Sequence, residues 1–307
     1  MPVVLGHEGG GTVHFIPKNY NGQELKVGDS VLCGLTQCKK CEQCDLQRIC
    51  QSMIPDHFYV ANRERSDELE KPGSGKKVRT GFFNQSSLAQ YSVVQAEALV
   101  KVDSSLPMEY LAPLVCGIQT GFGTVVNTLW PFATRTREWE KLPFWDIAGD
   151  DALAAKYKGS KPHTSIAIFG LGGVGCAALA GAKLCGFDTI IAIDLVDDKL
   201  AFAKKWGATH TVNANQEGDK VVEAVKAISQ NGQGIMTIVE ATGVNKVIQQ
   251  AWDCVAPGGR VAQIGASPDA EVNIKVMDAL SFAKSWQGEC PFSPDIFVPL
   301  LVADELL

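Results

Sequence analysis

Residues 165–194, SIAIFGLGGVGCAALAGAKLCGFDTIIAID, constrain the chain more than any other stretch. They open on a short apolar run, Ile166-Ala167-Ile168-Phe169, with the length and composition of a strand buried on both faces. The run ends in Gly170-Leu171-Gly172-Gly173-Val174-Gly175, a G-x-G-x-x-G. Small residues then recur at helical spacing (Ala177, Ala178, Gly181, Ala182), and a second apolar run, Thr189 to Ile193, closes on Asp194. Strand, glycine turn, helix, strand and terminal acid stand in the register of a βαβ unit from a doubly wound parallel sheet.

Each part of that unit has a chemical use. Gly170 permits the tight turn, and Gly172, with Gly173 and Val174 beside it, lets backbone approach a pyrophosphate. Gly175 lets the helix pack close to the strand, and the helix N-terminus offers unpaired N–H groups to an anion. Asp194, 19 residues after Gly175, can accept hydrogen bonds from both hydroxyls of an adenosine ribose. Its charge repels a 2′-phosphate, which favours NAD over NADP. The competing reading is a buried βαβ unit without a ligand. A transmembrane reading of residues 165–182 is rejected, because the segment holds five glycines.

At 307 residues the chain is long enough for two domains, and 46% hydrophobic content supports sizeable cores. A net charge of −6 argues against nucleic acid or an anionic membrane as the main partner. Met1 to Gly6 has neither a basic n-region nor a cleavage site, so no signal peptide is expected. Of ten cysteines four cluster and the others scatter through apolar segments, which suits a reducing, cytoplasmic compartment and a metal site.

The cluster is Cys38, Cys41, Cys44 and Cys50, spaced C-x2-C-x2-C-x5-C. Four thiolates around Zn²⁺ make a closed structural site; an iron–sulfur cluster or unligated cysteines are the alternatives. Cys33 lies outside the spacing and reads as a strand residue. Near the start, Gly6-His7-Glu8-Gly9 sets an imidazole beside a carboxylate among glycines, before a strand-like Thr12–Phe15. Residues 27–32 read as a turn entering a strand, and 62–79 as a polar surface loop. Residues 81–94, GFFNQSSLAQYSVV, lead into an alternating strand, with Phe82 and Phe83 as core or as walls of an apolar pocket. Cys116 precedes a helix-like Ile118–Thr128.

Taken together, Gly6–Gly11, the cysteine cluster, Cys116 in PLVCGIQTGFGTVVNT, and GLGGVG with Asp194 resemble the zinc-dependent medium-chain alcohol dehydrogenases. GFFNQSSLAQYSVV and CGIQTGFGTVVN look most like the aryl-alcohol (benzyl alcohol) branch. The resemblance implies an α/β protein, with a GroES-like β-rich catalytic domain at 1–128 and a Rossmann domain at 164–290. It implies His7 and Cys116 as catalytic-zinc ligands with Glu8 behind the metal, and Cys38, Cys41, Cys44 and Cys50 around a structural zinc. Lys199 falls near the adenosine ribose, Thr242 at the carboxyl end of strand 235–240, and Gly265 where backbone contacts the nicotinamide half. Zinc would act as Lewis acid on a primary alcohol, aromatic in kind if the branch resemblance holds, and NAD would accept the hydride, giving an aldehyde. The family also implies a homo-oligomer, dimer or tetramer, with the strand around Val272–Val276 as a pairing edge.

Three departures accompany the resemblance. The family's first cysteine ligand and its proton-relaying Ser or Thr lie upstream of the G-H-E motif, and Met1 to Leu5 contain neither. Residues 129–163 stand where the family has a short connection, as an insert or mistranslated intron. After 290 only the beginning of the returning C-terminal segment, 291–307, is present. The expectation is a chain truncated at both ends; the alternatives to an active dehydrogenase are a catalytically impaired NAD- and zinc-binding pseudoenzyme and an incomplete gene-model fragment of such an enzyme.

Overall fold

The computed structural model describes residues 3–18, 20, 25–35, 41–45, 68–70, 73–75, 77–134, 163–267 and 269–288. They form two compact units, divided between Gln119 and Thr120.

In the first unit, β1 (Gly9–Thr12), β2 (Ser30–Cys33) and β5 (Leu99–Lys101) make an antiparallel sheet, and β3 (Glu68–Glu70) pairs with β4 (Lys77–Arg79) as a hairpin. Cys33 is a strand residue, as expected, but the first strand precedes Thr12–Phe15, because Gly9 to Thr12 are the residues that find partners on β2. The polar stretch 62–79 contributes two short strands where a loop was expected. Leu32, Val102 and Val115 form the small core of this unit.

The alternating strand expected after Phe83 is absent. Phe83 (φ 50), Asn84 (φ 61) and Ser86 (φ 46) are left-handed, which no strand permits. The segment bonds back to the chain start instead. Ser86 Oγ donates to Val4 O at 2.7 Å, Ser87 N to Gly6 O at 3.1 Å and Leu88 N to Leu5 O at 3.0 Å. Buried Gln85 accepts from Gly9 N at 3.0 Å and donates to Cys33 O at 2.8 Å.

The second unit is a six-stranded parallel sheet. Its strands are β6 (Ser165–Phe169), β7 (Thr189–Asp194), β8 (His210–Asn213), β9 (Ile235–Glu240), β10 (Val255–Gln263) and β11 (Ser285–Gly288). Their order is β11-β10-β9-β6-β7-β8, so the chain winds outward from β6 and returns to β9 on its other side. Side chains alternate across the pleat. Ile166 and Ile168 join Leu179 and Ala182 of the Gly173–Cys185 helix on one face, while Ala167 and Phe169 join Val225, Ala251 and Trp252 on the other. Both faces are therefore covered, which is why these strands read as unbroken apolar runs.

The helix beginning at Gly117 runs on through π-turns at Thr124–Leu129 to Ala133. Pro131, which lacks an N–H and crowds the carbonyl four residues back, accounts for the widened turn. Val125 and Leu129 are fully buried in the sheet unit's core. Residues 120–134, assigned from sequence to the first domain and the insert, thus pack with the second unit. The rest of the 129–163 stretch from 135 to 162, and 291–307, lie outside the described residues. Val272–Val276 is not a strand: 271–275 is irregular and Val276–Phe282 is helical, leaving β11 at the sheet's edge. Cys254 is fully buried and burial pushes its thiol up to about 12, in keeping with its reading as a small apolar residue.

Ile168 has no exposure at the centre of the sheet. Ile168→Ala should cost about 2–5 kcal/mol, seen as a lower urea midpoint with little change in m.

Candidate functional site

At the carboxyl end of β6 the chain turns through Gly170 at φ +90 into the Gly173–Cys185 helix. The approach is so close that a Cβ on Gly175 would sit 1.8 Å from Gly170 O. A Cβ at Gly172 or Gly173 would meet nothing within 4 Å. No side chain caps the helix, so the amides of its first turn face this open cradle unpaired. Open glycines, uncapped amides and the positive end of a helix dipole fit a pyrophosphate. Val174 lies in the same turn. On the helix's other side, a Cβ at Gly121 would sit 1.9 Å from Val174 O, so the Gly117–Gly123 helix presses directly on this turn.

Asp194 ends β7 next to the cradle, its side chain only 9% exposed. Its Oδ2 accepts from Leu171 N at 2.7 Å, and its Oδ1 from Leu195 N at 2.8 Å and Val196 N at 3.1 Å. The carboxylate therefore ties the glycine turn to the end of the neighbouring strand. Lys199 Nζ stands 3.7 Å from Oδ2, on a helix (Asp197–Lys205) with acids in its first turn and lysines in its last. Thr242 and Gly265 follow β9 and β10 at the same edge of the sheet, and Thr242 Cγ2 lies 2.6 Å from where a Gly170 Cβ would be. Between β6 and β9 the winding reverses, the point at which open α/β sheets hold ligands. Sequence reasoning missed Glu240 and Gln263, which hold Thr242 and Gly265 from beneath. The available signal was an acid closing the apolar run Ile235–Val239, and a glutamine inside Val261–Ile264.

In the first unit, Glu8 Oε1 accepts from Gly117 N at 3.0 Å, which brings the chain around His7 to the chain around Cys116. The His7 ring stacks on Phe83 at 4.6 Å between centroids and meets Phe82 edge-on at 6.0 Å. Burial, helped by the Glu8 charge, pushes the Cys116 thiol up to about 11, so without a cation beside it the sulfur stays protonated. A catalytic zinc site takes three protein ligands and keeps one position open. Among the described residues no group of three or more such side chains comes together, so His7 and Cys116 do not by themselves complete that set.

Of the cysteine cluster, Cys41 just precedes the short helix Glu42–Asp45 and Cys44 lies within it, with their sulfurs 3.5 Å apart. Two sulfurs on one zinc stand about 3.8 Å apart, by tetrahedral geometry at the usual Zn–S length, so this pair fits one edge of a structural site. Cys38 and Cys50 lie outside the described residues.

The fold and cradle define a Rossmann-type dinucleotide-binding protein with a second, cysteine-bearing unit. Comparison with known proteins narrows this. Residues 1–104 match the profile of the alcohol dehydrogenase GroES-like domain, and residues 173–299 that of the zinc-binding dehydrogenases. The chain is 34% identical to a geraniol dehydrogenase of Castellaniella defragrans, over 98% of its own length and 73% of that enzyme's. It superposes on an alcohol dehydrogenase zinc-binding domain protein from Burkholderia ambifaria with a TM-score of 0.79 at 31% identity, covering 100% of this chain and 74% of that one. For benzyl alcohol dehydrogenase from Acinetobacter calcoaceticus the TM-score is 0.74 at 32% identity, covering 98% and 73%. The chain belongs to the zinc-binding alcohol dehydrogenase family, whose cofactors are zinc and NAD.

Gly175→Ala should destabilise the sheet unit by about 1–3 kcal/mol or more, because the added carbon meets backbone that cannot move aside. Chemical denaturation reads it directly.

Proposed function

We propose that this chain oxidises a primary alcohol, aromatic in kind, to the aldehyde, with NAD as hydride acceptor. The observation that carries the reading is the open glycine cradle with Asp194 beside it. Uncapped amides at Gly172 to Val174 would hold the pyrophosphate. Asp194 would accept the ribose hydroxyls and repel a 2′-phosphate, with Lys199 adjacent. His7 and Cys116 would supply metal donors, and Cys38, Cys41, Cys44 and Cys50 would close a structural zinc site that shapes their lobe. When bound, NAD supplies the hydride acceptor and zinc the Lewis acid. Likeness to benzyl alcohol and geraniol dehydrogenases supports an apolar, unsaturated alcohol, as do Phe82 and Phe83 against His7. Exposed Val276, Met277 and Leu280, on the helix before edge strand β11, support a homo-oligomer. No described helix is long and apolar enough to cross a membrane, and the net charge of −6 leaves nucleic acid outside the reading. Cysteines without disulfides at Cys33, Cys116, Cys176, Cys185 and Cys254 support a cytoplasmic setting.

That His7 and Cys116 are joined by no third donor among the described residues favours a second reading, a NAD- and zinc-binding chain without turnover. Metal analysis with an alcohol-dependent NADH assay separates them. Two zincs per chain with NADH formed from benzyl alcohol are expected for the enzyme; one zinc, NADH binding and no turnover would establish the binder. Asp194→Ser should weaken NADH binding about tenfold or more and narrow the preference over NADPH, measured by fluorescence titration of both.

A further inference from the structure

Glu240 closes β9 as a carboxylate with no solvent exposure. Its Oε1 accepts from Thr242 N at 2.8 Å and from Thr242 Oγ1. Its Oε2 accepts from Gly243 N at 3.1 Å and from Gln263 Nε2 at 2.6 Å. Four donors converge on two oxygens. The same Gln263 amide nitrogen donates to Gly265 O at 2.7 Å, while Gln263 Oε1 is buried without a partner. Reversing the amide would set that oxygen against both Glu240 and Gly265 O, so the orphaned atom follows from the demand for donors.

A buried charge is costly unless every lone pair is met, and this one lies where three loops meet. It holds Thr242, whose methyl packs over Gly170, the first glycine of the cradle. It occupies the space beside Gly265: a Cβ there would stand 2.6 Å from Glu240 Oε2 and 2.3 Å from Gly243 N. Gly265 is therefore glycine to admit this carboxylate and the adjoining turn, whatever its contact with a ligand. Through Gln263 the carboxylate also fixes the carbonyl of Gly265.

We infer that Glu240, with Gln263, is a positioning residue for the dinucleotide, locking the loops 241–244 and 264–266 in one shape before the ligand arrives. The inference rests on the NAD-binding reading above. Glu240 acts through Thr242 and Gly265, and its effect is to spare the ligand the cost of ordering those loops. Asp194 lies outside the network, bonded to Leu171, Leu195 and Val196. Recognition of the AMP half is therefore independent of Glu240.

The test is titration of the 307-residue chain with NADH and, separately, with AMP, alongside thermal melting without ligand. Glu240→Gln, which turns a donor toward Gln263 Nε2, should weaken NADH about tenfold and leave AMP affinity unchanged. Gln263→Met keeps the side-chain length and removes both donors; it should weaken NADH several-fold with AMP again unchanged, and it decides the matter alone if Glu240→Gln does not fold. NADH affinity unchanged in the folded variants, or NADH and AMP weakened together in step with lost thermal stability, would overturn the positioning role. Wild-type protein that binds neither NADH nor AMP would overturn the function proposed above and this inference with it.

Discussion

The helix that starts at Gly173 lies so close to β6 that there is room for one hydrogen at Gly175 and none for a methyl group. Much of the second unit depends on that approach. It carries the first-turn amides to the mouth of the sheet, leaves the space over Gly172 and Gly173 open, and brings Leu171 N within reach of the carboxylate on the next strand. The small residues along the helix serve the same end on its outer side, where Gly121 presses against Val174. A helix clamped between a strand and a second helix has little freedom to move its N-terminus. A site made of backbone dipoles needs that rigidity, because its donors cannot be re-aimed one at a time.

Two acids at the carboxyl end of the sheet divide the work. Asp194 receives three backbone amides, which staple the glycine turn to the end of β7, and keeps a sliver of its side chain open. Glu240 has no such opening, and all its capacity goes to neighbouring loops. Burying a carboxylate inside an apolar sheet would be destabilising were it not met by four donors. Two are amides of the turn after β9, which would otherwise be left without partners under that turn. The charge and the turn stabilise each other.

The cofactor half was legible because its signals are local. Strand, glycines, helix and Asp194 fall within thirty residues, and the alternation of Ile166, Ala167, Ile168 and Phe169 across two cores follows directly from the pleat. Glu240 and Gln263 went unread because their meaning lies in the pairing of β9 with β10, which sets them side by side. The first unit was less legible for the same reason. GFFNQSSLAQYSVV alternates like a strand, yet its amides bond to Leu5 and Gly6, some eighty residues back. Local pattern fixes what a segment prefers; long-range partners decide what it does.

That overruled segment explains how His7 is held. Left-handed backbone at Phe83, Asn84 and Ser86 costs on the order of 1–3 kcal/mol at each residue and persists only where the surroundings over-determine it. Here they do: Ser86, Ser87 and Leu88 bond to Val4, Gly6 and Leu5, while Gln85 bridges Gly9 and Cys33 from a buried position. The outcome of the strain is geometric. The turn lifts the Phe83 ring flat against one face of the His7 imidazole with Phe82 at its edge, covering the ring's π surface. Imidazole binds ligands through its in-plane nitrogens, which a stacked phenyl does not obstruct. Strained backbone is thus spent on fixing the plane in which a histidine can donate.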